Sequence, residues 1–194
     1  MNNKIESNNY KSWVLTDRQI CDLELIMDGS FNPLTGFLNE DDYNSVIDEM
    51  RMIDNTIWPI PINLDVDDEF IELIHNEQSI TLRDKEGFAI AILDIESKWK
   101  PNKKNEASQV YNTTNTEHPG VNYLLNQTHN WYLGGTIRKI QSPKHYDYMA
   151  LRLSPAQVKD KLNKMGWDKV VAFQTRNPMH RAHVEITQLA AKQL

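Results

Sequence analysis

The chain has 194 residues, enough for one full domain or for one domain plus part of another. Hydrophobic residues make up 40%, which allows a packed core, and a formal net charge of -6 excludes a general affinity for nucleic acid or anionic membrane, both of which need a basic face. The single cysteine, Cys21, excludes an internal disulfide framework; it falls in an apolar helical pattern and is expected to pack as a small hydrophobe. No apolar run approaches the roughly 20 residues of a membrane span, and the polar residues 1–9 lack the apolar core of a secretion signal. A cytoplasmic protein is expected.

Residues 1–12 read as a mobile lead-in. Thr16-Asp17-Arg18-Gln19 is a capping box, and Ile20, Leu23 and Met27 follow at helical spacing before Gly29. Asn39 is a second N-cap, with Tyr43, Val46, Ile47 and Met50 on one helix face. The middle reads as β. Residues 58–66 carry two prolines and suit an edge strand. Residues 79–83 and 88–95 flank Asp84-Lys85-Glu86-Gly87 as a hairpin. Residues 100–120, rich in Asn, Lys, Pro and Thr, read as a long surface loop, and residues 136–141 as one more strand. Short strands with two helices suggest a small barrel-like α+β domain.

The character changes near residue 150. Ser154-Pro155-Ala156-Gln157 is another capping box, with Val158, Leu162 and Met165 behind it and Gly166 as the stop. Residues 169–173 form an apolar run typical of a buried parallel strand. Asn177 is then expected to cap a helix with Pro178 as its first residue, and Ala182, Ile186, Leu189 and Ala190 as its inner stripe.

A strand, a tight turn and a helix N-terminus form an anion site, because the free amides and partial positive charge of the helix start favour phosphate or sulfate. Gln174-Thr175-Arg176-Asn177-Pro178-Met179-His180-Arg181-Ala182-His183 fills that turn. Arg176 offers a planar fork for a tetrahedral oxyanion, Gln174 and Asn177 offer amides, and His180 and His183, three apart, share a helix face. The histidine pair lacks the H-E-x-x-H spacing and has no cysteine or third histidine nearby, so no protein-bound metal is expected.

This ten-residue stretch resembles the signature of the ATP sulfurylase (sulfate adenylyltransferase) family, a Q-x-R-N run followed by an H-x-x-H motif. Collinear stretches extend the resemblance over nearly the whole chain: residues 17–25, Gly29-Ser30-Phe31-Asn32-Pro33-Leu34-Thr35-Gly36-Phe37-Leu38, Trp58-Pro59-Ile60-Pro61-Ile62, His118-Pro119-Gly120-Val121 and His145-Tyr146-Asp147-Tyr148. The resemblance implies an α+β fold: a PUA-like β-barrel domain over residues 1–147, followed over 148–194 by the first strand–helix unit of an α/β Rossmann-like nucleotidyltransferase domain. It implies that ATP and sulfate give adenosine 5'-phosphosulfate and pyrophosphate, with Mg²⁺ carried by ATP. Gln174 and Arg176 would hold sulfate. Thr175, Arg176 and Asn177 would act at the reacting centre. All of these, with His180 and His183, would contact ATP. No nucleic acid or membrane partner is expected, and the parent protein would be a homo-oligomer.

The family's catalytic domain continues well beyond 194 residues, and the last helix reaches Leu194 without a stop signal. The chain therefore reads as an N-terminal fragment that holds half an active site and is inactive alone. The alternative is a short non-catalytic PUA-like binding or assembly module. Gly29, Gly36 and Pro33 are expected to shape a turn, and Trp58, Trp99 and Trp131 to serve the core.

Overall fold

In a computed structural model, residues 6–193 are described. They fall into two compact units, Met1–Met149 and Ala150–Leu194.

The first unit is built on a mixed six-stranded sheet. Its elements in chain order are β1 (Ser12–Val14), α1 (Asp17–Met27), β2 (Gly36–Phe37), α2 (Glu40–Glu49), β3 (Leu64–Val66), α3 (Asp68–Leu73), β4 (Ser79–Arg83), β5 (Ala89–Trp99), α4 (Lys103–Tyr111), α5 (Pro119–Asn126) and β6 (Trp131–Lys139). The order across the sheet is β1-β4-β5-β6-β2, with β3 also on β6. β1 runs parallel to β4 and all other pairs are antiparallel. The end strands do not pair among the described residues, so the expected barrel is an open sheet; β1 and β2, at three and two residues, are too short to close it.

β6 is the hub. One edge pairs with β5 along its length, while the other is divided between β2 at Gly135 and Thr136 and β3 at residues 131–133. A bulge in β5 between Ile95 and Ser97 lies opposite Gly134 and Gly135, and bulges of this kind bend a sheet. Gly135 sits at φ 151°, where a Cβ would run into the Asp94 carbonyl. The core lies under this bend, with Leu15, Leu23, Leu64, Ile80, Leu82, Ile90, Leu93 and Leu133 sealed from solvent.

Local signals set both early helices as expected. Thr16 and Gln19 make the reciprocal capping box of α1, and Asn39 accepts from Asp42 N–H at α2. Elsewhere the sequence expectations need correction. Residues 6–12 are not a free lead-in: Thr81 donates to Ser7 O and Lys11 O accepts from Thr81 N–H. Residues 1–5 lie outside the described region. Of 58–66 only Leu64–Val66 is strand, because the prolines break the ladder ahead of it. The hairpin's second strand runs on to Trp99, and β6 begins at Trp131 and ends at Lys139. The expected loop over 100–120 holds α4 and the start of α5, capped by Asn102 and His118 and joined through buried Ala107, Val121 and Leu124. Cys21 is exposed, on the outer face of α1. Trp99 is buried, while Trp58 and Trp131 are half-buried against the core.

Two buried polar nodes tie the helices to the sheet. Gln19 donates to Asp65 Oδ1 at 2.7 Å and to Asp65 O at 2.8 Å, while Asp65 Oδ2 accepts from His129 N–H at 2.8 Å. Glu106 Oε2 of α4 accepts from the hydroxyls of Tyr43 in α2 and Tyr132 in β6, at 2.9 and 3.1 Å. Trp99 packs on both tyrosine rings.

Among its described residues the second unit has two helices, α6 (Pro155–Lys164) and α7 (Arg181–Gln193). Ser154 and Gln157 form the capping box of α6, and Gly166 takes φ 70° after its last turn. Residues 169–173 are not a strand. The unit has no second strand among its described residues, so the run has nothing to ladder with, and Val170, Val171 and Phe173 are exposed. Asn177 and Pro178 do not open the last helix, which starts three residues after Pro178, at Arg181.

Candidate functional site

The candidate site lies wholly in the second unit. Phe173 leads from the extended run into Gln174 and Thr175, and a local turn follows. Thr175 Oγ1 accepts from Asn177 N–H at 3.2 Å and donates to Asn177 O at 3.1 Å. This hydroxyl turn occupies Asn177's own backbone groups (an ST-turn arrangement), which is why Asn177 does not cap the helix.

His180 takes the capping place instead. Its carbonyl accepts from His183 N–H at 3.0 Å and Val184 N–H at 3.2 Å. Its own N–H donates to His183 Nδ1 at 3.2 Å. His183 thus fills the reach-back role that Glu or Gln usually has at the third helical position. With Nδ1 accepting, the neutral imidazole carries its proton on Nε2, leaving a directed N–H donor. The two histidine rings lie 5.6 Å apart between centroids, and Phe173 packs 5.5 Å from His183. The two rings do lie together, but not on one helix face as expected, because His180 precedes the helix; Phe173, which sequence spacing alone read only as a strand residue, joins them.

Gln174 and Arg176 are exposed and make no hydrogen bond among the described residues. The turn carries Arg176 and Arg181 and no carboxylate between residues 174 and 183. Its free groups are therefore donors: the Arg176 fork, the Gln174 amide and His183 Nε2–H. Such a set suits an oxyanion. Among the described residues no three His, Cys, Asp or Glu side chains gather as a metal site. No described helix is long and apolar enough to cross a membrane.

With this geometry in place, comparison with known proteins gives the class. The chain belongs to the PUA-like domain family, whose model matches residues 2–142. The stretch that carries the candidate site, residues 149–194, matches the ATP-sulfurylase family model. The chain is similar to the sulfate adenylyltransferase of Saccharomyces cerevisiae, 49% identical over 188 residues, covering 97% of this chain and 37% of that protein. It is also similar to that of Mycosarcoma maydis, 47% identical over 183 residues, covering 93% of this chain and 32% of that protein. Among solved structures, a hexameric APS kinase from Thiobacillus denitrificans superposes with a TM-score of 0.78 at 29% identity, over 99% of this chain and 34% of that one. The chain thus spans about a third of the length of the relatives it matches.

Proposed function

We propose that the chain is the N-terminal part of a sulfate adenylyltransferase, which joins ATP and sulfate into adenosine 5'-phosphosulfate and releases pyrophosphate. One observation carries this reading: the ten-residue turn, rich in uncommitted donors and free of carboxylate, lies inside the segment that matches the ATP-sulfurylase model. In this reading residues 1–147 are the PUA-like domain and 148–194 open a Rossmann-like nucleotidyltransferase domain. The run 169–173 pairs as a strand against chain supplied by the longer protein.

A sulfate oxygen attacks the α-phosphorus of ATP, the new O–P bond forms, and the bond to the β-phosphate oxygen breaks. Sulfate is already an anion, so no general base is needed; positioning and charge stabilisation do the work. Gln174 and Arg176 hold sulfate. Thr175, Arg176 and Asn177 surround the reacting centre, and these groups with His180 and His183 bind ATP. His183 Nε2–H donates to the pyrophosphate as its charge grows. Magnesium would arrive on ATP and neutralise phosphate charge there. A net charge of -6 supports the absence of a nucleic-acid partner. The hexameric state of the solved APS kinase from Thiobacillus denitrificans supports a homo-oligomeric parent.

The test is sulfate-dependent pyrophosphate release by the full-length protein. Arg176→Ala is expected to lower it by a factor on the order of 10²–10³. Unchanged activity overturns the role of Arg176, and no sulfate-dependent release by the unmutated protein overturns the reaction.

A further inference from the structure

The first unit has an open sheet edge that the proposed chemistry does not use. β1 is the end strand, paired on one side with β4. Lys11 O and Leu15 N–H bond to β4, so residues 11, 13 and 15 face inward and the backbone groups of Ser12 and Val14 face out. Alongside runs a groove of about 720 Å³ lined by Ser12, Trp13, Val14, Phe70, Leu73 and the acidic residues Asp67, Glu69 and Glu72. Its floor is fixed by Trp13 on Phe70, with ring centroids 4.9 Å apart. Val14 and Leu73 are each more than half exposed, at 54% and 53%. Glu69, Glu72 and Leu73 share a helix face by spacing. No ion pair engages Glu69 or Glu72 among the described residues; nearby Asp68 is the one that meets Lys100.

An unpaired strand edge templates another strand. Here the apolar floor accepts apolar side chains and the acidic rim selects cations. We propose that this edge and groove dock an extended segment of a partner protein that presents both basic and apolar side chains on one strand face. The segment adds alongside β1, bonds to the outward groups of Ser12 and Val14, and sets its cationic groups against Glu69 and Glu72. The acidic rim argues against a nucleic acid here.

The probe is a short, end-blocked, dye-labelled peptide repeating lysine–threonine–valine–threonine, which sets lysine and valine on one strand face, titrated into the full chain by fluorescence anisotropy and by amide chemical shifts. Saturable binding is expected, with shifts centred on Val14, Phe70 and Leu73, and the same peptide with glutamate in place of lysine is expected not to bind. Glu69→Lys with Glu72→Lys should weaken binding roughly tenfold or more. The same reversal at Glu40 and Asp41, on α2, should change it less than twofold. Val14→Pro removes an outward N–H and should also weaken binding; if that variant unfolds, a peptide N-methylated at alternate residues tests the same bonds. Absence of saturation, equal weakening by the α2 reversal, or unaltered binding of the N-methylated peptide overturns the proposal.

Discussion

Replacing Glu106 by alanine tests the physical account of the first unit most directly. Its carboxylate is buried and takes hydrogen bonds from two buried phenols, Tyr43 at 2.9 Å and Tyr132 at 3.1 Å. Removing the shared acceptor leaves both hydroxyls without a partner in the core. A buried unsatisfied group costs about 1–3 kcal/mol, so Glu106→Ala should cost about 2–6 kcal/mol, a large part of the stability of an ordinary domain. In a unit of this size that lowers Tm by roughly 4–24 °C. Trp99 rests against both rings, so urea unfolding followed by tryptophan fluorescence reads the change. Adding Tyr43→Phe and Tyr132→Phe to Glu106→Leu removes every polar member of the node and should recover most of the loss. Burial raises the Glu106 carboxyl above its usual range against the opposing pull of the tyrosine hydroxyls. A raised folded-state value means that the stabilising contribution is present at low pH and lost as pH rises through that value. Wild type should therefore weaken relative to Glu106→Gln as pH increases. An alanine variant within 0.5 kcal/mol of wild type (about the spread of neutral surface changes) refutes the reasoning.

Gly135→Ala should cost at least about 2 kcal/mol, because φ 151° and the Asp94 carbonyl both oppose a Cβ, whereas Gly87→Ala, with open space around it, should cost about 1 kcal/mol; thermal melts compare the two. Leu133→Ala, on the hub strand, should cost about 2–5 kcal/mol by denaturant unfolding. Hydrogen bonds from Asn130, then Lys100 and Trp131, hold the Asp68 carboxyl down to about 2. A depressed folded-state value stabilises above the unfolded carboxylate range and is lost as pH falls toward about 2, so Asp68→Asn should flatten acid unfolding in that window and carboxyl NMR should show the low titration. In the full-length protein, His183→Glu should keep the α7 start, since Glu can reach back to the His180 N–H, yet lower sulfate-dependent pyrophosphate release because its carboxylate has no donor to replace Nε2–H. Loss of α7 helicity in that variant would count against the cap; retained turnover would count against the donor role.

What could be read from the sequence divides by distance along the chain. Thr16 with Gln19, Ser154 with Gln157, and Asn39 act within three residues, and all appear as expected. β1 went unrecognised because three residues carry no period and their partner, Thr81 to Arg83, lies far along the chain. α4 and α5 were hidden by Asn- and Lys-rich composition; buried Ala107, Val121 and Leu124, and Glu106's bonds to Tyr43 and Tyr132, hold them instead. The six candidate site residues fall within ten positions, so the sequence alone places them on one turn. The opening of α7 was not: Asn177-Pro178 is a familiar helix start, but the Thr175 hydroxyl ties up Asn177 and a histidine pair makes the cap.

The hub position of β6 also sets an order of events. β2, β3 and β5 all await a strand whose residues are Trp131–Lys139, and β1 awaits β4. On a ribosome, most of the first unit must therefore emerge before its sheet can form around that strand. Until then Leu64, Leu93 and the edges meant for β6 stay uncovered. Such long-range pairing slows folding and exposes aggregation-prone edges. β1, β4 and β5 can pair among themselves earlier, so synthesis of this chain should depend on keeping β2, β3 and the free edge of β5 unpaired, and a pause before residue 131 is the point at which it is most open to chaperones.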